Sequence, residues 1–525
     1  MVAADTPHNG SDVTPVPTPP RRRRSRRRLA LSILLFLAVV VVVWTVVTGL
    51  VAAHRLRQVR ADVARLTSQP GDDRQSLERR LQSDLRTVDS ASALLHQAGP
   101  RIFGFVPILG RNVEAERSVS EASAAALRAG LTLTRATDGL ETGSGGVDTD
   151  RLHAAGTALA DAARALREPL RRLADQSTGW ALPPVTTGVR QARDQLLGLD
   201  DRLARGAAGL DGLAGVMGSG RRTVLVGLLN NAELRGAGGL LSAYATGTID
   251  NGQLTLKPFR DVNEVAQPPR LAKPVPSPPD YHAAYGPYLA DTTLWKNVPM
   301  SAQGAEVAQV LAGVADASLG VKPDVVVLCD VPAASDIISA TGEVTIEGES
   351  VSGSELTRRL LVDAYGEGSL SESKQAARRR ALTTAASQAF DRLRDNATAT
   401  PSLLQALVDA VSGRHIVVWS NRPEEQQQLV AARIAGTVDA TGQDVALAVT
   451  NNLGDSPMQG NKLDYYVERR LSVDVHLQPD QATVVQTLTL HNTAPDTLGP
   501  YVEGVRQPGQ LSELLSMDVG GGATL

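Results

Sequence analysis

The longest uninterrupted apolar stretch of the chain is LALSILLFLAVVVVVWTVVTGLVAA, residues 29–53, with no charged residue in it. As a helix rising ~1.5 Å per residue it is long enough to cross a ~30 Å hydrocarbon core, so the pattern predicts a transmembrane helix. A secretory signal peptide has a shorter apolar region of roughly 7–15 residues. The run RRRRSRRR, residues 21–28, stands directly before it. Arginine on one flank places that flank in the cytoplasm and the chain after residue 53 outside. Residues 1–28, rich in Pro, Ser and Thr before the arginines, read as a disordered basic cytoplasmic tail able to meet anionic lipid headgroups.

From residue 54 to 217 the apolar positions recur at helical spacing, as in Leu56, Val59, Val63 and Leu66, then Leu77, Leu81, Leu85 and Val88. Two later runs repeat every seven residues: Leu152, Leu159, Leu166, Leu173, and Val189, Leu196, Leu203, Leu210. Such stripes suit coiled-coil-like packing of antiparallel helices. Pro70-Gly71, FGFVPILG (103–110), TGSGG (142–146) and WALPP (180–184) mark the connections. Helices are expected at roughly 72–99, 112–138, 149–177 and 186–216. They form either a stalk that spaces a distal domain from the membrane and oligomerises, or a helical domain packed on its neighbour.

Near residue 218 the pattern changes. Apolar strands flank a Gly-rich loop in RRTVLVGLLNNAELRGAGGLLSAYATGTIDNGQLTL, and Asp250-Asn251-Gly252 reads as a hairpin turn. DVVVLCD (324–330) and HIVVWS (415–420) read as buried strands, with helical patterns at 331–340, 352–366, 374–395, 401–412 and 423–436. Strands alternating with helices predict a three-layer α/β domain over 218–460. LSVDVHL (471–477) and TVVQTLTLHN alternate apolar with polar residues around a QPDQ turn, which starts a β-sandwich in 461–525. Two or three strands cannot close a sandwich, so this one reads as cut short or completed by another surface.

Composition narrows the chemistry. Only six of the 53 basic residues are lysine, which with abundant Ala, Val and Gly points to a GC-rich genome. The arginines therefore need no nucleic-acid partner to explain them. The single cysteine, Cys329, excludes an intramolecular disulfide and reads as a core thiol within Val325-Val326-Val327-Leu328. There is no HExxH, GxSxG, CxxC, GxGxxG or GxxxxGK[ST]. His415, beside a strand, reads as structural rather than as a base. With 17 aromatics in the chain, an extended sugar-stacking platform is not expected, although Tyr281, Tyr285, Tyr288 and Trp295 gather near the Pro-rich loop 267–280. That loop reads as a lid or a surface excursion.

LLNNAELRGAGGLLSAYATGTIDNG closely resembles the hallmark segment of the domain of unknown function 4012 family, found in envelope proteins of Gram-positive bacteria, especially actinobacteria. FRDVNEV (259–265), Trp295-Lys296-Asn297-Val298-Pro299, DVVVLCDVPAASDIISATGEV and GNKLDYYVERRLSV (460–473) resemble it in the same order. The resemblance extends over about 100–525. A fainter likeness is to the LytR-CpsA-Psr enzymes, which transfer lipid-pyrophosphate-linked glycopolymers onto peptidoglycan with arginines on the pyrophosphate and aspartates on magnesium. It rests on an Arg-bearing loop (Asn231 to Gly239), Arg260-Asp261, a strand–helix–TGEV unit and the arginine-bearing helix at Arg378 to Arg380. Gly236 and Ala237 stand where an aspartate normally follows the first arginine, a departure that bears on any magnesium site.

The candidate ligand-binding residues are Asn231, Arg235, Arg260, Asp261 and Arg378. Arginine offers bidentate donors to phosphate oxygens, and a hard cation such as Mg2+ takes carboxylate ligands. No catalytic residue and no metal ligand is assigned. Arg235 could equally pair with Glu233 or Asp261, and the glycines could serve only a tight turn. The expected protein is a single-pass, membrane-anchored envelope protein, N-terminus cytoplasmic and C-terminus extracytoplasmic. Its α/β domain binds or transfers an anionic, lipid-pyrophosphate-linked precursor of a cell-wall glycopolymer. The alternative is a non-catalytic envelope scaffold or adhesion protein oligomerising through its stalk.

Overall fold

The computed structural model describes residues 74–96, 107–136, 146–175, 183–218, 220–365, 371–395, 401–438, 449–452, 461–495, 498 and 502. The expected tail (1–28), the transmembrane helix (29–53) and the apolar run from Leu56 to Leu66 lie outside the described residues. Among the described residues, no helix is long and apolar enough to cross a membrane.

Four helices come first: α1 (Arg74–Leu95), α2 (Pro107–Ala136), α3 (Thr149–Asp175) and α4 (Pro183–Gly218). The seven-residue stripes supply their core. Leu152, Leu159, Leu166 and Leu173 on α3 are buried, as are Val189, Leu196 and Leu203 on α4, and Leu210 packs partly buried against them. Leu81 and Val88 of α1 and Val119, Leu127 and Leu131 of α2 join the same cluster. Helix α2 starts at Pro107, so the end of the FGFVPILG connector is helical. Proline is tolerated there because first-turn N–H groups have no intrahelical acceptor.

The bundle runs directly into a mixed sheet. Its strands are β1 (Arg222–Asn230), β2 (Leu240–Asp250), β3 (Gln253–Leu256) and β4 (Arg260–Asp261). After helices α5 (Pro279–Tyr285) and α6 (Gly304–Leu319) comes β5 (Val325–Asp330), then α7 (Val331–Thr341). The small hairpin β6 (Val344–Ile346) and β7 (Glu349–Val351) leads into α8 (Gly353–Leu361), α9 (Glu372–Asp395) and α10 (Pro401–Ser412). The last sheet strand is β8 (Ile416–Ser420), followed by α11 (Pro423–Ala431). The order across the sheet is β3-β2-β1-β5-β8, with β4 also on β2. β1 and β5 are parallel and the other pairs antiparallel. The β2–β3 turn is the expected one, with Asn251 at φ 45° and Gly252 at φ 82°.

Both faces of the sheet are covered. Leu225 and Leu229 of β1, Val326 and Leu328 of β5 and Val417 of β8 pack with Val307, Leu311 and Val314 of α6. On the other face, Val224 and Val226 meet Val216 and Met217 of α4 and Leu429 of α11, while Leu228 meets Val331 and Ile338 of α7. The last turn of α4 thus belongs to the core of the sheet. Helix α6 was not anticipated, because its apolar positions Val307, Ala308, Val310, Leu311, Val314 and Ala315 cover too much of its circumference to give an amphipathic stripe. Cys329 is a free thiol, pushed up to about 12 by burial, which keeps it unreactive at neutral pH.

The C-terminal hairpin pairs β9 (Val467–Leu477) with β10 (Ala482–Asn492). Val475 lies opposite Val484 and Leu471 opposite Leu488, so an apolar face forms. Leu477 is 80% exposed and Val475 53%. Among the described residues, no second sheet covers this hairpin.

Candidate functional site

The loop between β1 and β2, residues 231–239, crosses the carboxyl edge of β1 and anchors two polar clusters. Gly236 lets it approach the 300–302 segment, because a Cβ there would come within 2.3 Å of the Met300 carbonyl oxygen.

In the first cluster Arg235 is almost completely buried. Its Nε and Nη2 donate to Asn297 Oδ1 at 3.3 and 3.1 Å, and Nη2 also donates to Glu233 Oε1 at 3.0 Å. Nη1 donates to the carbonyls of Leu234 and Asn452. Every nitrogen of the guanidinium thus has a protein acceptor, and both terminal nitrogens donate twice. Lys462 pairs with the other oxygen of Glu233. Burial alone would raise the Glu233 carboxyl, but Lys462 and Arg235 hold it below the usual range. Asp464 accepts from Leu234 N and Asn452 Nδ2 and pairs with Arg469. Residues far apart in sequence are locked together here by one ion network.

Lys296 stands beside this network. It follows Trp295, which is fully buried, stacks on Tyr244 at 5.1 Å and adopts φ 65°. A bulky side chain in the left-handed region is strained and persists only where packing holds it. Lys296 is half-buried, and among the described residues its ammonium has no hydrogen-bond partner. Burial lowers its pKa, opposed by Glu233 and Asp261 nearby, with Lys462 and Arg379 lowering it further. Those two carboxylates are already engaged, Glu233 by Arg235 and Lys462, Asp261 by Arg379. With Asp464, which acts on Arg235, and its partner Arg469 included, five cations (Arg235, Lys296, Arg379, Lys462 and Arg469) face three carboxylates (Glu233, Asp261 and Asp464), a surplus of two positive charges.

The second cluster lies on the other side of the loop. Asp330, at the end of β5, is buried. Its Oδ2 accepts from Asn231 Nδ2 at 2.8 Å and meets His415 Nδ1 at 2.7 Å, while Oδ1 caps α7 through Ala333 N at 3.0 Å. The bond to Asp330 raises the His415 pKa, with burial opposing and Asp336 assisting. The sign follows directly. Stability from this pair is fully present below the unfolded value of ~6.5 and is lost as pH rises through the higher folded value. Asp330→Asn keeps a helix-capping side chain but removes the charge. Its deficit in melting temperature is therefore expected to be largest at pH 5–6 and to narrow above pH 7. A deficit independent of pH would show that the pair carries no charge-assisted bond.

The sequence-derived residues fall in separate places. Asn231, Arg235, Arg260 and Asp261 have no hydrogen-bond or ion-pair partner in common among the described residues. Arg260 and Asp261 are neighbours on β4 and point to opposite sides of the sheet. Arg260 is exposed and pairs with Glu264, whereas Asp261 pairs with Arg379 of α9. Arg378 lies 4.4 Å over the Tyr365 ring. The arginine-bearing helix therefore meets Asp261 through Arg379. Tyr281 and Trp295 are core residues rather than a sugar platform, with Tyr281 bonded to the Val298 carbonyl. Among the described residues, no group of three or more His, Cys, Asp or Glu side chains could hold a metal ion, and Asp261 is committed to Arg379 and Asn263. Among the described residues the donor set does not fit a magnesium ion.

Lys296 and Lys462 are the residues that sequence reasoning passed over, while His415, read there as structural, is the partner of the buried Asp330. In a chain with six lysines, two meeting at one network was the available signal.

Residues 219–365 match the profile of a family described as protein of unknown function (DUF4012). The match is narrower than the stretch of 100–525 over which the sequence resembles that family. Among curated proteins and among solved structures, nothing matches the chain.

Proposed function

We propose, on the premise that the chain belongs to the DUF4012 family through residues 219–365, that its α/β domain binds an anionic ligand at Lys296. The ligand is a pyrophosphate-linked glycopolymer precursor on a lipid, met outside the membrane to which the chain is anchored. The observation that carries this reading is the surplus cation. Glu233 and Asp261 are already neutralised by other partners, so Lys296 has lost part of its hydration without gaining an acid of its own. A phosphate oxygen would supply what the fold leaves out, with Arg379 beside it. The length and charge pattern of residues 21–53 support the anchor.

The test is binding of a polyprenyl-pyrophosphate oligosaccharide to full-length protein in detergent. Lys296→Met is expected to weaken it by about 1.5–3 kcal/mol, the scale of a charge-assisted hydrogen bond. Wild-type binding is also expected to fall as pH rises through the lowered pKa of Lys296. Equal affinity of wild type and Lys296→Met would refute the assignment.

A second reading, a non-catalytic envelope scaffold, is favoured by the complete internal pairing of Arg235 and by the exposed apolar face of the β9–β10 hairpin. It predicts no Lys296-dependent binding of pyrophosphate lipids.

A further inference from the structure

Among the described residues, the four helices of the bundle leave a gap. Helix α1 packs on α2, and α2 packs on both α3 and α4. Between α1 and α3 a cavity of about 660 Å³ runs along α2 from Ser120 to Thr132. Packing inside proteins leaves few voids larger than a water molecule, so a gap of this size has room for a further element. Its floor includes Ala124, Ala129 and Ala162, all buried, whose short side chains let another helix approach closely. Its rim carries three acids, Asp89 of α1, Glu121 of α2 and Asp161 of α3. Each already meets an arginine of the bundle, Arg128, Arg172 and Arg164 in turn. Exposed pairs of this kind are weak, and a second arginine can join them.

We propose that residues 54–69 of this chain occupy the cavity as a fifth helix of the bundle. The segment carries the apolar stripe Leu56, Val59, Val63 and Leu66 and holds no proline or glycine. Pro70-Gly71 supplies a reversal before α1 begins at Arg74. Folded back there, residues 54–69 run antiparallel to α1 for about 23 Å, which is the length of α1 from Arg74 to Asp89. Residue 54 thus comes level with Asp89, the acid on the α1 rim. Helices α1 and α2 are themselves antiparallel, with Glu78 bonded to Arg135 and Asp89 paired with Arg128. Val59 therefore falls beside Ala129. The stripe covers about 15 Å, against about 18 Å of cavity along α2. The segment has four arginines and one acid, Asp62, so its charge is opposite to that of the rim acids. Arg55 and Arg60 flank the stripe on its two sides, the positions from which charged side chains bridge neighbouring helices.

The proposal is independent of any ligand at Lys296. It makes the expected membrane helix, residues 29–53, continue directly into the bundle, which fixes the bundle to its anchor instead of tethering it.

The experiment uses full-length protein in detergent. Two cysteine pairs, Val59→Cys with Ala129→Cys and Leu56→Cys with Ala125→Cys, are oxidised and resolved on a non-reducing gel. An intramolecular disulfide, seen as a faster-running monomer, is expected in the double variants and in none of the single ones. Cys329 does not compete, because its thiol is unreactive at neutral pH. Amide hydrogen exchange is read in parallel on protein without cysteine substitutions. Residues 54–66 are expected to be protected in wild type. Val59→Asp combined with Val63→Asp is expected to abolish that protection and to speed exchange along Ser120–Thr132, while β1 and β5 keep theirs. No intramolecular product from either cysteine pair overturns the proposal, as does wild-type exchange over 54–66 as fast as in the double aspartate variant. A cross-linked dimer in place of the monomer also overturns it and assigns the cavity to a second copy of the chain.

Discussion

Glu233→Ala is expected to destabilise the α/β domain by about 3–5 kcal/mol, because it leaves two cations, Arg235 and Lys462, buried without their acid. Replacing a buried ion pair with apolar groups can be neutral, but removing one partner exposes the full desolvation cost of the other. Here one carboxylate serves both cations, one oxygen for each. The loss extends beyond the pair, since Arg235 also joins the 231–239 loop to Asn297 and to the Asn452 carbonyl. Urea denaturation of the full chain measures it. A change under about 1 kcal/mol, the scale of an exposed ion pair, would show that the network does not hold these segments together.

The second large effect is expected in the bundle. Leu166 is fully buried in the α3 stripe, in one cluster with Leu159, Leu173, Leu196 and Leu203. Leu166→Asp removes a large apolar side chain and places an unpaired carboxylate in the seam. Truncating such a leucine to alanine already costs about 2–5 kcal/mol, and the charge adds to that. Because α4 continues into the core of the sheet through Val216 and Met217, loosening the bundle is expected to lower the melting temperature of the α/β domain as well. Circular dichroism of the variant measures the first effect. Separate melting transitions, with the second unchanged, would show that bundle and sheet are uncoupled.

The legible parts of the fold are those whose signal is local. Seven-residue repeats on α3 and α4 report their own burial, and Asn251-Gly252 requires left-handed backbone that those residues supply readily. The strands at β5 and β8 are short apolar runs bounded by polar residues, which length alone distinguishes from helices. Helix α6 escaped because a helix buried on most of its surface has no polar face to set its period. The site was harder for a different reason. Arg235 stood out beside its glycines, but whether its guanidinium faces a ligand or the interior depends on Asn297 and Asn452, which no local pattern brings together. Arg260 and Asp261, named together as candidate ligand residues, take different partners, Glu264 and Arg379, since adjacent residues on β4 alternate faces. Four of the five segments carrying the family resemblance nevertheless converge. The 231–239 loop, Asp261, Lys296 with Asn297, and Lys462 with Asp464 all contribute to the first cluster or its border.

The most direct test of the account is isothermal titration of full-length protein in detergent with inorganic pyrophosphate, comparing wild type with Lys296→Met. If Lys296 is the surplus cation of an anion site, wild type binds and the variant binds about 10- to 150-fold more weakly, by the loss of one charge-assisted bond of about 1.5–3 kcal/mol. Both should keep the same melting temperature without ligand, because Lys296 has no hydrogen-bond partner among the described residues to lose. Equal binding by the two proteins, or none by either, would contradict the account and leave the ion network as a structural fastening alone.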